Sequence, residues 1–400
     1  MVHDPVVVGG RLRDDLPVSP DLTLATLLDT VEDEASAALD ELVHDALGRR
    51  PDPTTTVVEA TPVAIGSPAT AGVYRVHGLD VGGMPWSLFC KSLHHVRHWA
   101  GIAQVPPQVA AHFIETFPWR SELQLWDPRV QASLPDGLRS PVLHLLVELP
   151  DDKVAVWQED VVQREHEWDD ASFALAARLL GRWNARSTHP DALAVSELPS
   201  GFALRMYAEQ AVPGRGLGPL ADADLWSHPW LAADRDLADR LLEVGPRIPD
   251  MLDHLDSLTQ ALPHGDASPQ NLLVPADDDP AELVAIDVSF RSSHALGFDL
   301  GQLMVGLIHA DVLPARRLPR IAAAIVPAYV TGLAEEGVVE DEGVIRDAFA
   351  TSTLLRSGFD GFLYGELASA DASSPPSATF MQRLEMSRFL LEQYDDVRRV

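Results

Sequence analysis

The chain is 400 residues long and carries 30 Lys and Arg against 60 Asp and Glu, a formal net charge of −30. That balance argues against a nucleic-acid partner, because such binding draws most of its affinity from basic side chains on phosphates. At 46% hydrophobic the chain can bury a large core, which excludes disorder over most of its length and suits two or three domain-sized units.

Residues 1–18 read as a loose tail without the basic start and apolar run of a secretory signal. Ser19-Pro20 then supplies a helix N-cap and a proline suited to the first helical position. Leu24, Leu28, Val31, Ala35, Leu39, Leu42 and Ala46 recur at three-to-four spacing, predicting one amphipathic helix closed near Gly48. From residue 54 the pattern turns to strands. Residues 54–65 are β-branched and alternating, 66–72 form a small-residue loop, 73–76 alternate, and 78–83 have turn chemistry. Residues 85–93 predict a third strand with Cys90 and Lys91 on opposite faces. Cys90 is the only cysteine, so an intramolecular disulfide and a Cys-rich zinc site are excluded, and a free thiol fits a reducing cytosol.

Residues 107–126 predict two helical pieces, the second opened by Pro118, and 142–149 with 154–161 predict a hairpin. After residue 170 the chain turns helical, with 232–261 broken only at Gly245-Pro246 and 199–230 showing no clear period. Two short apolar runs within 262–290 suggest a small hairpin, and 299–400 are mostly helical around a Ser/Ala/Pro loop at 368–378. The apolar run 321–333 is interrupted by Pro327 and is far short of the ~20 residues a bilayer requires. The expectation is therefore a cytoplasmic protein with no membrane partner. Strands first and helices after predict an α+β, two-lobed architecture.

The densest polar cluster in an apolar setting is His264-Gly265-Asp266, Asn271, Ile286-Asp287 and Gly297-Phe298-Asp299. The two strands of a hairpin would bring Asn271 and Asp287 together at one end. A carboxylate with an amide oxygen makes a hard oxygen site, which suits Mg²⁺ sharing its shell with phosphates and water. Asp266, one turn away, is placed to accept a proton from a hydroxyl.

His-Gly-Asp-x4-Asn, followed by Ile-Asp and Gly-x-Asp-Leu, resembles the catalytic core of the aminoglycoside phosphotransferase family, and the order of parts resembles it over most of 55–365. The resemblance implies a protein-kinase-like fold with a tail and helical extension at 1–53. It implies a strand-rich nucleotide-binding lobe at 54–161 and a helical lobe at 162–400 that holds the catalytic loop 264–273 and the acceptor pocket. It implies Mg²⁺-dependent transfer from ATP or GTP to a hydroxyl of a small molecule. By motif, Asp266 matches the catalytic aspartate, Asn271 and Asp287 the metal ligands, and Lys91 the lysine on the α/β-phosphates. Glu122, preferred over Glu115, matches its carboxylate partner. The loop containing Gly66, Ser67 and Gly72 would cover the phosphates. The hinge 158–161, with Glu159 and Val161, would hold the base through its backbone, and Asp299 would brace the catalytic loop.

Scarcity adds a separate signal. Lysine occurs only at 91 and 153, and asparagine only at 184 and 271, so one of each falls in the expected site. Lys153 and Asn184 have no role in this reading. His264 reads as a structural histidine, His94, His95 and His98 as a solvated segment, and Trp183, Trp226 and Trp230 as packing. The acceptor stays open between a cationic aminoglycoside-like antibiotic, which the surplus acid favours, and a sugar or amino-alcohol metabolite. A catalytically silent nucleotide binder and a metal-dependent hydrolase remain as alternatives.

Overall fold

A computed structural model describes residues 23–61, 67–105, 107–196, 198–231, 233–276, 282–288, 291–370 and 373–399. Before residue 160 the chain forms β1 (Val57–Ala60), β2 (Thr70–Leu79), β3 (Pro85–His94), β4 (Leu138–Arg139), β5 (Leu143–Leu149) and β6 (Lys153–Glu159). All but β4 join one antiparallel sheet in the order β1-β2-β3-β6-β5. Register aligns Tyr74, Cys90 and Trp157 on one face and Val73, Lys91 and Val156 on the other. The first face is apolar and buried against α1 (Leu24–Leu27) and α2 (Glu32–Leu47), and the Trp157 indole donates to Leu27 O at 3.0 Å. Cys90 is accordingly core.

The expected single N-terminal helix is two. Asp29 takes a left-handed conformation (φ 51°) that ends α1, and α2 restarts behind Val31 with Glu32, Asp33 and Glu34 in its first turn. Acid there complements the helix dipole. Gly48, at φ 65°, closes α2 as expected. Ser19-Pro20 lies outside the described residues.

Residues 107–126 also differ from expectation. Helix α3 (Pro107–Thr116) is regular, but the second piece is a tight 3₁₀ stretch, Ser121–Trp126, beginning after Pro118 rather than at it. A further short helix, α4 (Pro128–Ser133), is capped by Asp127. Leu125, Val130 and Leu138 pack into the core of the helical lobe with Phe173 and Trp183. The chain thus visits the second lobe before returning to complete the sheet.

The helical lobe is built on α5 (Asp170–Arg186), whose N-cap Asp169 accepts from Ser172 N at 2.9 Å, crossed by the helix Leu318–Glu335. That helix runs through Pro327, because Ile321, Ile325, Tyr329 and Leu333 are all buried in the core and hold it in place. The segment 199–230, which has no readable period, contains a π-helical stretch at Met206–Leu217. Two small sheets complete the lobe. β7 (Gln260–Ala261) pairs with β10 (His294–Ala295), and β8 (Leu272–Leu273) pairs with β9 (Leu283–Ala285), which also receives β4 in parallel. Among the described residues no helix is long and apolar enough to cross a membrane.

Candidate active site

The β8–β9 hairpin sets the register of the site. Leu272 pairs with Ala285, so Asn271 and Ile286 stand side by side, and Ile286 N donates to Asn271 O at 3.0 Å. The next residue, Asp287, adopts φ 57°, a left-handed conformation rare for a side-chain-bearing residue and one that recurs at functional sites. Its Oδ1 lies 3.0 Å from Lys91 Nζ, across the gap between the lobes. Lys91 therefore joins strand β3 to the loop after β9.

Glu122 Oε2 approaches the same ammonium at 2.6 Å, so Glu122, not Glu115, is the carboxylate that meets Lys91. It comes from the 3₁₀ stretch, not from an α-helix. Lys91 and Glu122 are nearly buried, with side chains 11% and 12% exposed. Burial alone would push the lysine pKa down, but the Asp287 and Glu122 charges outweigh it and hold it above the ordinary value. Burial raises Glu122, against the pull of Lys91. Asp287 is also opposed by burial, but the Lys91 charge and hydrogen bond hold its carboxyl below the ordinary value. One cation thus faces two carboxylates. Such a cluster has unspent negative charge for a further cation.

The loop 264–271 is held by a network of buried bonds. Asp299 accepts from His264 N at 2.9 Å and Gly265 N at 3.0 Å, with Gly265 at φ 91°. Asn184, 1% exposed, donates to Asp299 Oδ2 at 3.0 Å and to Leu180 O at 2.7 Å. His264 is fully buried with its ring edge-on to Trp183, and its Nδ1 accepts from Asp266 N at 3.3 Å. Asn271 Nδ2 donates to Asp266 O at 2.9 Å and to Asp266 Oδ2 at 3.3 Å. The amide nitrogen is committed to the loop, so the amide oxygen points the other way. Asp266 has its pKa raised, first by burial and also by Asp287, with Arg356 opposing. Arg356 Nη2 donates to Asp266 Oδ1 at 3.0 Å.

Ser67 lies in the loop expected over the phosphates, just before β2. Its carbonyl accepts from Thr70 N at 2.9 Å, and it lines a small cavity with Thr70, Trp119, Glu122 and Asp287. Gly66 lies outside the described residues. Gly72 is not in that loop but at a register shift within β2. Its missing side chain makes room for the Tyr74 ring, which a Cβ would strike. At the expected hinge, Glu159 N donates to Val142 O at 2.9 Å, and the Glu159 carboxylate is turned to Arg139, both contacts at 2.7 Å. Val161 N makes no backbone hydrogen bond among the described residues.

Asn184 and Arg356 are the site residues that sequence reasoning missed. Asparagine scarcity marked Asn184 without revealing its partner. Arg356 is hidden among many arginines and lies 90 positions from Asp266. Trp183, read as packing, is indeed core, with the Arg291 guanidinium 5.1 Å from its ring. His98 Nε2 approaches Asp151 O at 2.8 Å, and no cluster of three metal-ligating His, Cys, Asp or Glu side chains exists among the described residues. The two oxygen donors at Asn271 and Asp287 are too few for a closed metal cage. They fit a hard cation that keeps water and phosphate oxygens in its shell.

No family model and no curated protein sequence matches the chain. Solved structures do. An amicoumacin kinase in complex with AMP-PNP and Ca²⁺ aligns at 14% identity and a TM-score of 0.49, covering 92% of this chain and 96% of that one. A spectinomycin phosphotransferase in complex with ADP and spectinomycin aligns at 11% and 0.47, covering 91% and 98%. An aminoglycoside phosphotransferase from Alicyclobacillus acidocaldarius aligns at 14% and 0.47, covering 88% and 95%. Each of these alignments extends over most of both chains, at low sequence identity.

Proposed function

We propose that this protein is a phosphotransferase that moves the γ-phosphoryl group of ATP or GTP to a hydroxyl of a small molecule, with Mg²⁺ as the bound metal. The observation that carries the reading is the convergence of Lys91, Glu122 and Asp287 from three separate segments, beside a loop that presents Asp266 and Asn271. Phosphoryl transfer needs positioning and charge neutralisation more than covalent chemistry from the protein. Lys91 binds the α/β-phosphates and is held in place by Glu122. Asn271 and Asp287 would hold Mg²⁺, which when bound neutralises charge on the phosphate oxygens. Lys91 now occupies one Asp287 oxygen, so nucleotide entry exchanges that contact for phosphate. Ser67 and its loop cover the phosphates. The backbone at Glu159 and Val161 receives the base, and Asp266 orients the acceptor hydroxyl and takes its proton.

In this reading the strand-rich lobe binds nucleotide, and segments of the helical lobe within 199–230 and 300–365 form the acceptor pocket. Candidate acceptors are aminoglycoside-like antibiotics, sugars and amino alcohols. The test is nucleotide consumption against a panel of these compounds, with Asp266→Asn as the blank. At least one compound should give turnover well above that blank. No turnover with any of them, while nucleotide still binds, would count against transfer and for a silent binder. Asp287→Ala should weaken magnesium-dependent nucleotide binding, read by calorimetry with and without the metal.

A further inference from the structure

Asp299 grips the catalytic loop by its N–H groups, and Arg356 grips the same loop by its oxygens. Arg356 lies in the π-helical turn Leu354–Gly358, where the helix Glu342–Thr353 widens before it ends. Such widened turns recur at functional sites. Its Nη1 donates to Gly265 O at 2.7 Å and its Nη2 to Asp266 Oδ1 at 3.0 Å. The guanidinium carbon lies 5.7 Å from the ring centroids of both Tyr207 and Phe298, and the side chain is only 16% exposed. Meanwhile Asp266 Oδ2 receives Asn271 Nδ2 at 3.3 Å. Each carboxylate oxygen therefore has its own donor, and rotation of the carboxylate is restrained from both sides.

A loose phosphoryl-transfer transition state asks mainly for an oriented hydroxyl, which a fixed carboxylate supplies. The contact requires a planar fork that reaches a backbone carbonyl and a carboxylate at once, which a lysine ammonium cannot reproduce. We infer that Arg356 is a positioning residue for phosphoryl transfer: it fixes the Asp266 carboxylate against the Gly265 backbone at the angle the acceptor hydroxyl needs. This inference rests on the phosphotransfer reading above.

The test measures phosphate release from Mg·ATP and Mg·GTP, with water as the acceptor and nucleotide saturating, beside the calorimetric dissociation constant. Arg356→Ala should slow release by roughly 10- to 100-fold, the scale of a misplaced reacting group, while nucleotide affinity stays within about twofold. Millimolar guanidinium chloride should restore part of the lost rate. Arg356→Lys keeps charge and stem should the alanine variant fold poorly, and it should still lose roughly tenfold in rate at unchanged nucleotide affinity. In an Asp266→Asn background, Arg356→Ala should cost little more. A wild-type rate in Arg356→Ala or Arg356→Lys would overturn the inference, as would a loss of nucleotide affinity as large as the loss of rate. Asp266→Asn releasing phosphate as fast as the wild type would instead overturn the phosphotransfer reading and take this inference with it.

Discussion

At Lys91 the chain places a nearly buried ammonium against two carboxylates. Removing one partner of a buried pair leaves the other without its counter-charge, at a cost of about 3–5 kcal/mol. Lys91→Met should therefore lower the urea midpoint as well as nucleotide binding, and Lys91→Met/Glu122→Leu should recover much of the lost stability. If the double variant is as unstable as the sum of the two singles, Lys91 and Glu122 are not coupled. This pair was half legible in the sequence. A lysine in an arginine-dominated chain marked itself, and Glu122 was already preferred over Glu115, but its carriage on the 3₁₀ stretch Ser121–Trp126 rather than on a helix was not readable. Asn184 is the counterexample: equally scarce, it had no readable role until Asp299 was found beside it.

Among the elements, the crossing of α5 with Leu318–Glu335 sets the frame on which Asn184 is carried. Gly181 faces Tyr329 O and Gly332 faces Arg178 O, so closely that a Cβ at either position would overlap the opposing backbone. A backbone cannot yield as a flexible side chain can. Gly332→Ala should thus destabilise by about 1–3 kcal/mol or more, measured as a drop in the denaturation midpoint. An unchanged midpoint would mean that the helices can separate freely. Arg182 and Arg186 meet Glu336 across this crossing at 2.8 and 2.9 Å. Glycines inside a helical pattern are nearly silent to periodicity, so neither close approach was visible beforehand. The small β8–β9 hairpin was visible, because two apolar runs bounded by turn residues can pair only with each other locally.

For the whole molecule, the pH response follows from buried imidazoles. His294 is 4% exposed, stacked on Phe298 with ring centroids 3.8 Å apart, and bonded to Ser292 Oγ at 2.9 Å. Burial, with the Arg356 charge adding to it, pushes its pKa down to about 3, and burial likewise lowers His264. The unfolded chain takes up a proton at His294 near pH 6.5, whereas the folded one resists until about 3. Stability from this group is therefore complete above pH 6.5 and falls as pH drops toward 3, by up to about 1.4 kcal/mol per pH unit for each such imidazole. Denaturant midpoints between pH 7.5 and 5 should decline, and His294→Phe should flatten the decline. An equal slope in that variant would show that His294 titrates alike in both states.

Order along the chain, the α+β class and the motif from His264 to Asp299 were all readable from residue pattern, because periodicity, turn chemistry and short spacings are local properties. The division of the N-terminal helix at Asp29, the tight stretch after Pro118 and the place of Gly72 were not, because each is set by what packs against it. The same holds for Arg356 on Asp266 and Asn184 on Asp299. Contacts between positions 90 and 115 apart form only when the lobe closes around the loop, and no local pattern encodes them.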